Sequence, residues 1–152
     1  MNELSAILNE NPVFAALAPG DLDPLLAAFA VTEHAAGHAF FKEGQGADGA
    51  YLILSGEVIV TRRKLGKEEV NRMERGEWFG LVALLDDKRR SATCSAVGSV
   101  RTAWLSASAF QLLGEGTALP VAFAVQKAVA AQLCHDFRHM QAVIVAELEE
   151  QA

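Results

Sequence analysis

The sequence lacks the residue patterns of common enzyme and metal-binding classes. It contains no G-x-S-x-G nucleophile motif, no H-E-x-x-H zinc motif and no G-x-x-x-x-G-K phosphate loop. Its two cysteines, Cys94 and Cys134, do not have the spacing of metal ligands, so we interpret them as thiols of a reducing compartment. These absences favour a binding module over an enzyme.

Positive charge and long apolar runs are also scarce. The 152 residues include 13 Lys and Arg against 19 Asp and Glu, a formal net charge of −6. Duplex nucleic acid is bound mainly through basic surface, so this chain alone is not expected to bind it. No apolar stretch approaches the roughly 20 residues of a membrane helix, and the N-terminus lacks a signal-peptide pattern. We therefore expect a cytoplasmic protein without a membrane partner.

What is present suits one domain with a substantial apolar core, since 51% of the residues are hydrophobic. Residues 1–30 show helical spacing interrupted at prolines, which predicts a helical cap in which Asp21 begins a helix over 22–30. Over 31–105, short β-rich runs alternate with glycine turns, and the strongest hairpin signal spans 50–60 around Ser55 and Gly56. This pattern favours a β-barrel or jelly roll.

The C-terminal third is predicted to be helical. Ser106 can cap a short helix over 107–113, and the glycine-free stretch 118–150 predicts a helix about 50 Å long. That is longer than a domain of this size needs, so part of it should pack against something outside the domain. Its apolar residues mostly recur three or four apart: Leu119, Phe123, Val129, Leu133, Phe137, Met140, Ile144 and Leu148.

The most informative stretch is 76–97, which combines a glycine turn, an apolar run and a basic loop. Gly80 precedes the run from Leu81 to Leu85, which predicts one or two helical turns. A charged loop then leads to Arg90 and Ser91. A helix N-terminus attracts anions, arginine binds phosphate through paired N–H groups, and serine adds a hydroxyl donor. The stretch therefore predicts a cradle for a small anionic ligand.

These residues resemble the phosphate-binding cassette of cyclic nucleotide-binding domains, the sensor modules of catabolite-activator-type regulators, cyclic-nucleotide-dependent kinases and gated channels. The matching positions are Phe79, Gly80, Arg90, Ser91 and Ala92. The resemblance implies a mainly β, jelly-roll fold with a helical cap over 1–30, a barrel over 31–105 containing the cassette at 76–93, and C-terminal helices over 106–152. It also implies a regulatory domain whose ligand is cyclic AMP or cyclic GMP.

Leu81 departs from the family pattern, which has a glutamate at this position. In the family that glutamate accepts a hydrogen bond from the ribose 2′-hydroxyl, and leucine cannot do so. A buried hydroxyl left unpaired costs about 1–3 kcal/mol, roughly tenfold to a hundredfold in affinity. The resemblance therefore implies weakened cyclic nucleotide binding at Leu81, or an anionic ligand that lacks this hydroxyl.

The resemblance also extends to the long helix, which in the family closes over the ligand and pairs with its twin in a dimer. Counting from Pro120 places Phe137 and Arg138 where the family helix meets the ligand base; a core phenylalanine and a solvated arginine are the alternative. A parallel homodimer is implied, together with an unidentified protein partner that receives the signal.

Two other functions fit the same sequence. One is a degenerate module that dimerises or scaffolds without a ligand, which a filled pocket would favour. The other is the sensor part of a transcription regulator without its DNA-binding domain. A helical metal site at His135 and His139, four residues apart, is less expected than solvated or dimer-facing histidines. His34 and His38 have the same spacing on a strand and a turn, where they need not face the same way.

Overall fold

The computed structural model describes residues 2–62, 69–82, 89–116 and 118–151. In these ranges the chain forms five helices and eight strands. The helices are α1 (Glu3–Glu10), α2 (Pro12–Ala15), α3 (Asp23–Ala28), α4 (Ala107–Leu113) and α5 (Leu119–Glu150). The strands are β1 (Ala30–His34), β2 (Ala39–Phe41), β3 (Gly49–Ser55), β4 (Val58–Thr61), β5 (Glu69–Met73), β6 (Trp78–Phe79), β7 (Thr93–Ala96) and β8 (Val100–Ser106).

The strands form two antiparallel four-stranded sheets, ordered β1-β8-β3-β6 and β2-β7-β4-β5. This arrangement confirms the predicted jelly roll with flanking helices. The hairpin predicted over 50–60 is wrong in its pairing, because β3 pairs with β8 and β6 whereas β4 pairs with β5 and β7. The connection carries the chain from one sheet to the other. Gly56 has φ +91°, and a Cβ there would lie 2.5 Å from the Ser99 carbonyl oxygen, so the turn requires glycine.

The N-terminal helices begin at asparagine caps. The side chain of Asn2 accepts from the Ser5 N–H at 2.8 Å, and that of Asn11 accepts from the Val13 N–H at 3.0 Å. The predicted Asp21 cap is wrong, because α3 begins at Asp23 after Leu22 and has no side-chain cap. Proline in its first turn supplies a fixed backbone angle instead.

The apolar core has two parts. Between the sheets lie eight buried side chains: Phe41, Ile53, Val58, Met73, Phe79, Cys94, Ala96 and Val100. The larger part joins the first sheet to α1, α2, α3 and the first half of α5. The last residues of α5, 144–150, are all exposed, so this end of the helix can meet another surface.

The apolar residues of α5 form one broad stripe, as their spacing predicts, but this domain covers only one edge of it. Val129 is buried, and Leu133 and Met140 are partly buried on the side that faces the barrel. Five others, further round the same stripe, are more than half exposed: Leu119 58%, Phe123 57%, Phe137 64%, Ile144 51% and Leu148 61%. One edge of the stripe therefore packs on this domain, and the rest of it is exposed.

Candidate functional site

A cavity of about 180 Å³ lies between the second sheet, the cassette and α5. Residues from β2, β4, β5 and β7 line it together with the cassette, and α5 contributes one side. Most of the described wall is apolar, and three arginines and one carboxylate are its charged residues in the described ranges. The lining residues are Phe41, Ala47, Val60, Arg62, Asn71, Met73, Phe79, Gly80, Leu81, Val82, Arg89, Arg90, Ser91, Ala92, Cys94, Leu133, Asp136 and Met140.

Arg90 is the central polar group of the cavity, with a side chain that is only 4% exposed. Nη1 donates to the Gly80 carbonyl at 3.1 Å, and Nη2 donates to the Gly49 carbonyl at 2.9 Å. Asp48 Oδ1 lies 3.5 Å from Nη2. The buried Nε–H has no hydrogen-bond partner among the described residues. The guanidinium is therefore fixed in place while one buried donor stays available.

The surroundings of Arg90 keep it charged and oriented. Its guanidinium lies 3.9 Å above the centre of the Phe41 ring, a cation–π contact. Burial lowers the pKa of Arg90, whereas Tyr51 and Asp48 act in the opposite direction; the group stays protonated near neutral pH. Burial also raises the pKa of the neighbouring Cys94 thiol to about 12, so this cavity-lining sulfur is neutral.

The loop over 44–49 positions the main chain of Arg90. The Arg90 N–H donates to the Gln45 carbonyl at 2.8 Å, and the Gly44 N–H donates to the Arg90 carbonyl at 2.9 Å. Arg89 adds a bond from Nη1 to the Gly44 carbonyl at 2.8 Å. Both the glycine-rich loop and the cassette are therefore needed to place one guanidinium.

Gly80 is the position where the cassette requires glycine. Its φ is +74°, and a Cβ would lie 2.7 Å from Arg90 Nη1 and 3.2 Å from the Phe41 ring. Any larger residue would displace the arginine or the aromatic ring beneath it. The sequence motif that joins this glycine to Arg90 thus corresponds to direct contact in the fold.

The other cassette residues also lie at the cavity. Phe79 and Ala92 are buried, Ser91 is exposed at its edge, and Leu81 is 3% exposed and belongs to the larger core cluster. The predicted helical turn over 81–85 falls mostly in residues 83–88, outside the described residues. An anion site at that helix terminus therefore stays a prediction.

From the long helix, the cavity is lined by Leu133, Asp136 and Met140 and not by Phe137 or Arg138. Phe137 and Arg138 are both exposed. Sequence counting missed the three lining residues because it started from Pro120 without knowing which face was buried. The phase of the buried alanines and valines before them, continued at three- and four-residue steps, leads to Leu133, Asp136 and Met140.

Gln132 joins this part of α5 to the cassette. Its Oε1 accepts from the Trp78 N–H at 3.2 Å, and its Nε2 donates to Asp136 Oδ1 at 3.0 Å. Burial raises the pKa of Asp136, whereas the Gln132 bond and His135 and His139 act in the opposite direction. Neither Gln132 nor Asp136 belongs to a sequence motif, so the sequence alone did not mark them as site residues.

The two histidine pairs differ. His135 and His139 are exposed on α5. The rings of His34 and His38 do face the same way and stack, with centroids 4.4 Å apart. Stacked rings do not direct their nitrogens at one shared point as metal ligands do. Within the described ranges, no group of three or more metal-ligating side chains occurs.

The family model for the cyclic nucleotide-binding domain matches residues 31–115. The cAMP-dependent protein kinase regulatory subunit of Emericella nidulans is 35% identical over 108 residues, 71% of this chain and 26% of that protein. The corresponding subunit of Mucor circinelloides f. lusitanicus is 44% identical over 80 residues, 51% of this chain and 19% of that protein. The chain thus spans about a quarter or less of the length of these relatives.

Solved structures of cyclic nucleotide-binding proteins share this fold. A cyclic nucleotide-binding domain from Methylobacillus flagellatus has a TM-score of 0.85 at 23% identity and covers 95% of this chain and 82% of its own. The Thermus thermophilus Catabolite Activator Protein has a TM-score of 0.72 at 30% identity, covering 92% and 63%. The regulatory domain of Toxoplasma gondii PKA, solved with cAMP, has a TM-score of 0.63 at 27% identity, covering 72% and 42%.

The fold and the comparisons therefore define a regulatory type of domain. The family match covers more than half of the chain, so this chain belongs to the cyclic nucleotide-binding domain family. The predicted family is thereby confirmed, and its kinase relatives are regulatory rather than catalytic subunits. No helix in the described ranges is both long enough and apolar enough to cross a membrane.

Proposed function

We propose that this chain binds a small anionic ligand of the cyclic nucleotide class, cyclic AMP or cyclic GMP, with its phosphate on Arg90. The observation that carries the proposal is the Arg90 Nε–H, which is buried at a cavity and has no partner in the described part of the chain. A phosphate oxygen would satisfy it. The main-chain N–H groups of Gly80 and Leu81 and the hydroxyl of Ser91 complete the cradle.

The charge of the cavity supports an anionic ligand. Among the described lining residues, Arg62, Arg89 and Arg90 stand against one carboxylate, Asp136, although the chain as a whole carries a net charge of −6. The alternative of a ligand-free scaffold would leave the pocket filled by side chains, whereas an open volume of about 180 Å³ lies beside Arg90. Sensing thus accounts for this volume better than scaffolding does.

The test is calorimetric titration with cyclic AMP and cyclic GMP. The wild type should bind, and Arg90→Ala should lose binding, because it removes the charge and leaves the Gly80 and Gly49 carbonyls unpaired. Arg75→Ala is the matched control, since Arg75 pairs with Glu10 in an exposed contact outside the cavity. Arg138→Ala tests the predicted base contact on α5. If Arg90→Ala bound as tightly as the wild type, the phosphate site would be elsewhere.

Ligand binding is proposed to act through α5, because this helix supplies one wall of the cavity and touches the cassette through Gln132. A ligand that prefers one position of the helix shifts the population towards it. An unidentified protein partner would respond to that shift. The sensor part of a transcription regulator stays an alternative, favoured by the likeness to the Thermus thermophilus protein at 30% identity.

The exposed face of α5 is proposed to pair with a second copy of the chain in a parallel homodimer. Phe123, Phe137 and Ile144 lie at multiples of seven residues, the repeat that two supercoiled helices share. Residues 144–150 are exposed and pack on nothing in their own domain. A second copy of the same face would cover Phe137 and Leu148.

Light scattering should therefore give a mass of about twice 16.2 kDa, and Phe137→Glu should give a single chain. Ala142→Glu, exposed on the flank of the helix, is the matched control and should stay dimeric. In a Cys134→Ser background, Leu148→Cys should form a disulfide between chains only if the helices run parallel. A 16.2 kDa mass for the wild type at micromolar concentration would contradict the dimer.

A further inference from the structure

Asp136 is a carboxylate in a cavity whose other charged lining residues, among those described, are arginines. It lies on the α5 wall and is partly buried. No ion pair joins it to Arg62, Arg89 or Arg90 in the part of the chain described here. A carboxylate accepts hydrogen bonds and donates none. An anionic ligand that presents a hydrogen-bond donor to this carboxylate would be repelled less than one that does not.

Gln132 positions the Asp136 carboxylate. The Trp78 N–H donates to Gln132 Oε1 at 3.2 Å, and Gln132 Nε2 donates to Asp136 Oδ1 at 3.0 Å. Trp78 lies within the cassette at 76–93, so the bridge links Asp136 to the cassette. The second oxygen, Oδ2, makes no hydrogen bond to any described residue and is available to a ligand.

The size of the cavity limits which donor can reach Asp136. At about 180 Å³ it is smaller than the roughly 300–1,000 Å³ of sites that enclose drug-sized ligands. A ligand with its phosphate on Arg90 would fill a cavity of this size with the groups nearest that phosphate, and Asp136 lines the same cavity. Leu81, on the same wall as Gly80, offers no acceptor through its side chain.

We propose that Asp136 accepts a hydrogen bond from a sugar hydroxyl next to the ligand phosphate. This rests on the proposed function and deepens it: the ligand is a phosphate ester with a free neighbouring hydroxyl, and Asp136 selects for that hydroxyl. In a 3′,5′-cyclic nucleotide the group is the 2′-hydroxyl. Gln132 is the positioning residue, since it touches Asp136 and the cassette and does not line the cavity.

The experiment compares cyclic AMP with 2′-deoxy cyclic AMP by calorimetry, for the wild type and Asp136→Ala. The wild type should bind the deoxy compound about tenfold to a hundredfold more weakly, the usual effect of losing a hydrogen bond to a charged group. Asp136→Ala should bind both compounds equally. Glu147→Ala removes an exposed acid from the same helix and should keep the wild-type ratio. Adding Leu81→Glu to Asp136→Ala should restore discrimination if the hydroxyl lies between the two positions.

Other outcomes would overturn the inference in distinguishable ways. Equal wild-type affinities for both compounds, with binding still lost in Arg90→Ala, would refute the role of Asp136 and leave the proposed function intact. Cyclic inosine monophosphate lacks the adenine amine. If the wild type bound it more weakly than cyclic AMP, and Asp136→Ala bound the two compounds equally, Asp136 would contact the base and not the sugar. Absence of binding by any of these nucleotides would remove the proposed function and this inference with it.

Discussion

The two walls of the cavity are held in different ways. On the barrel wall, Arg90 is fixed by two main-chain carbonyls, an aromatic ring and main-chain bonds to the loop over 44–49. On the helix wall, Asp136 is held by a single side chain, Gln132. The barrel wall is therefore held by more contacts than Asp136 is. The proposed signalling through α5 needs this difference, because one wall would recognise the ligand and the other would respond.

The barrel wall should be broken most severely by Gly80→Ala. The positive φ alone costs about 1–2 kcal/mol for a residue with a Cβ, and the new methyl would meet Arg90 at 2.7 Å. We expect a loss of about 2–3 kcal/mol in the free energy of unfolding and weakened cyclic nucleotide binding. Urea denaturation measures the first effect. Gly46→Ala is the control, because a Cβ at Gly46 would meet no atom within 4 Å and its φ is not positive.

The helix wall should be loosened by Gln132→Ala, with a smaller effect on stability. The change leaves the Trp78 N–H without its acceptor and frees Asp136, at a cost of about 1 kcal/mol. Amide hydrogen exchange should rise in α5 after Val129 and stay unchanged in β3 and β8. Gln126→Ala, exposed on the same helix, should change neither. Equal exchange in the two variants would mean that Gln132 does not hold the helix.

The smallest effect is expected from the aromatic cluster behind the barrel wall. His34 and His38 both contact Phe40, whose ring meets that of Phe79, beside Gly80, at 5.0 Å. Burial, and then the neighbouring His38, lower the pKa of His34 below its usual 6.5. The unfolded chain therefore binds this proton more readily, so stability is complete above about pH 6.5 and falls as the pH drops below it.

Thermal unfolding between pH 8 and pH 5 checks this linkage. Wild type should lose a few degrees more than His34→Gln on acidification, and His139→Gln should follow the wild type because His139 is exposed on α5. Superimposable pH profiles for wild type and His34→Gln would show that the stacked pair does not contribute.

The cassette could be predicted from sequence because its contacts are local to a motif. Gly80 and Arg90 lie ten residues apart and touch, so their pattern records the contact directly. The helix wall could not be predicted in this way. Gln132 contacts the cassette across more than fifty residues of chain and links Asp136 to it. Neither residue belongs to a recognisable pattern. The prediction of a hairpin over 50–60 was wrong for the same reason, because two adjacent β-rich runs carry no local sign that they belong to different sheets.

The order of residues along the chain was enough to establish the jelly roll, the family, the helix at each end and the identity of the proposed anion-binding arginine. These follow from periodicity, glycine turns and one short motif, all of which act over a few residues. Which part of α5 meets the cavity and which is left exposed depended on tertiary packing, because one broad apolar stripe is compatible with more than one rotation of the helix. Packing of the buried face, Val121 to Val129, against the N-terminal helices and the first sheet fixes the rotation of the helix. That rotation brings Asp136 into the cavity and turns Phe137 away from it.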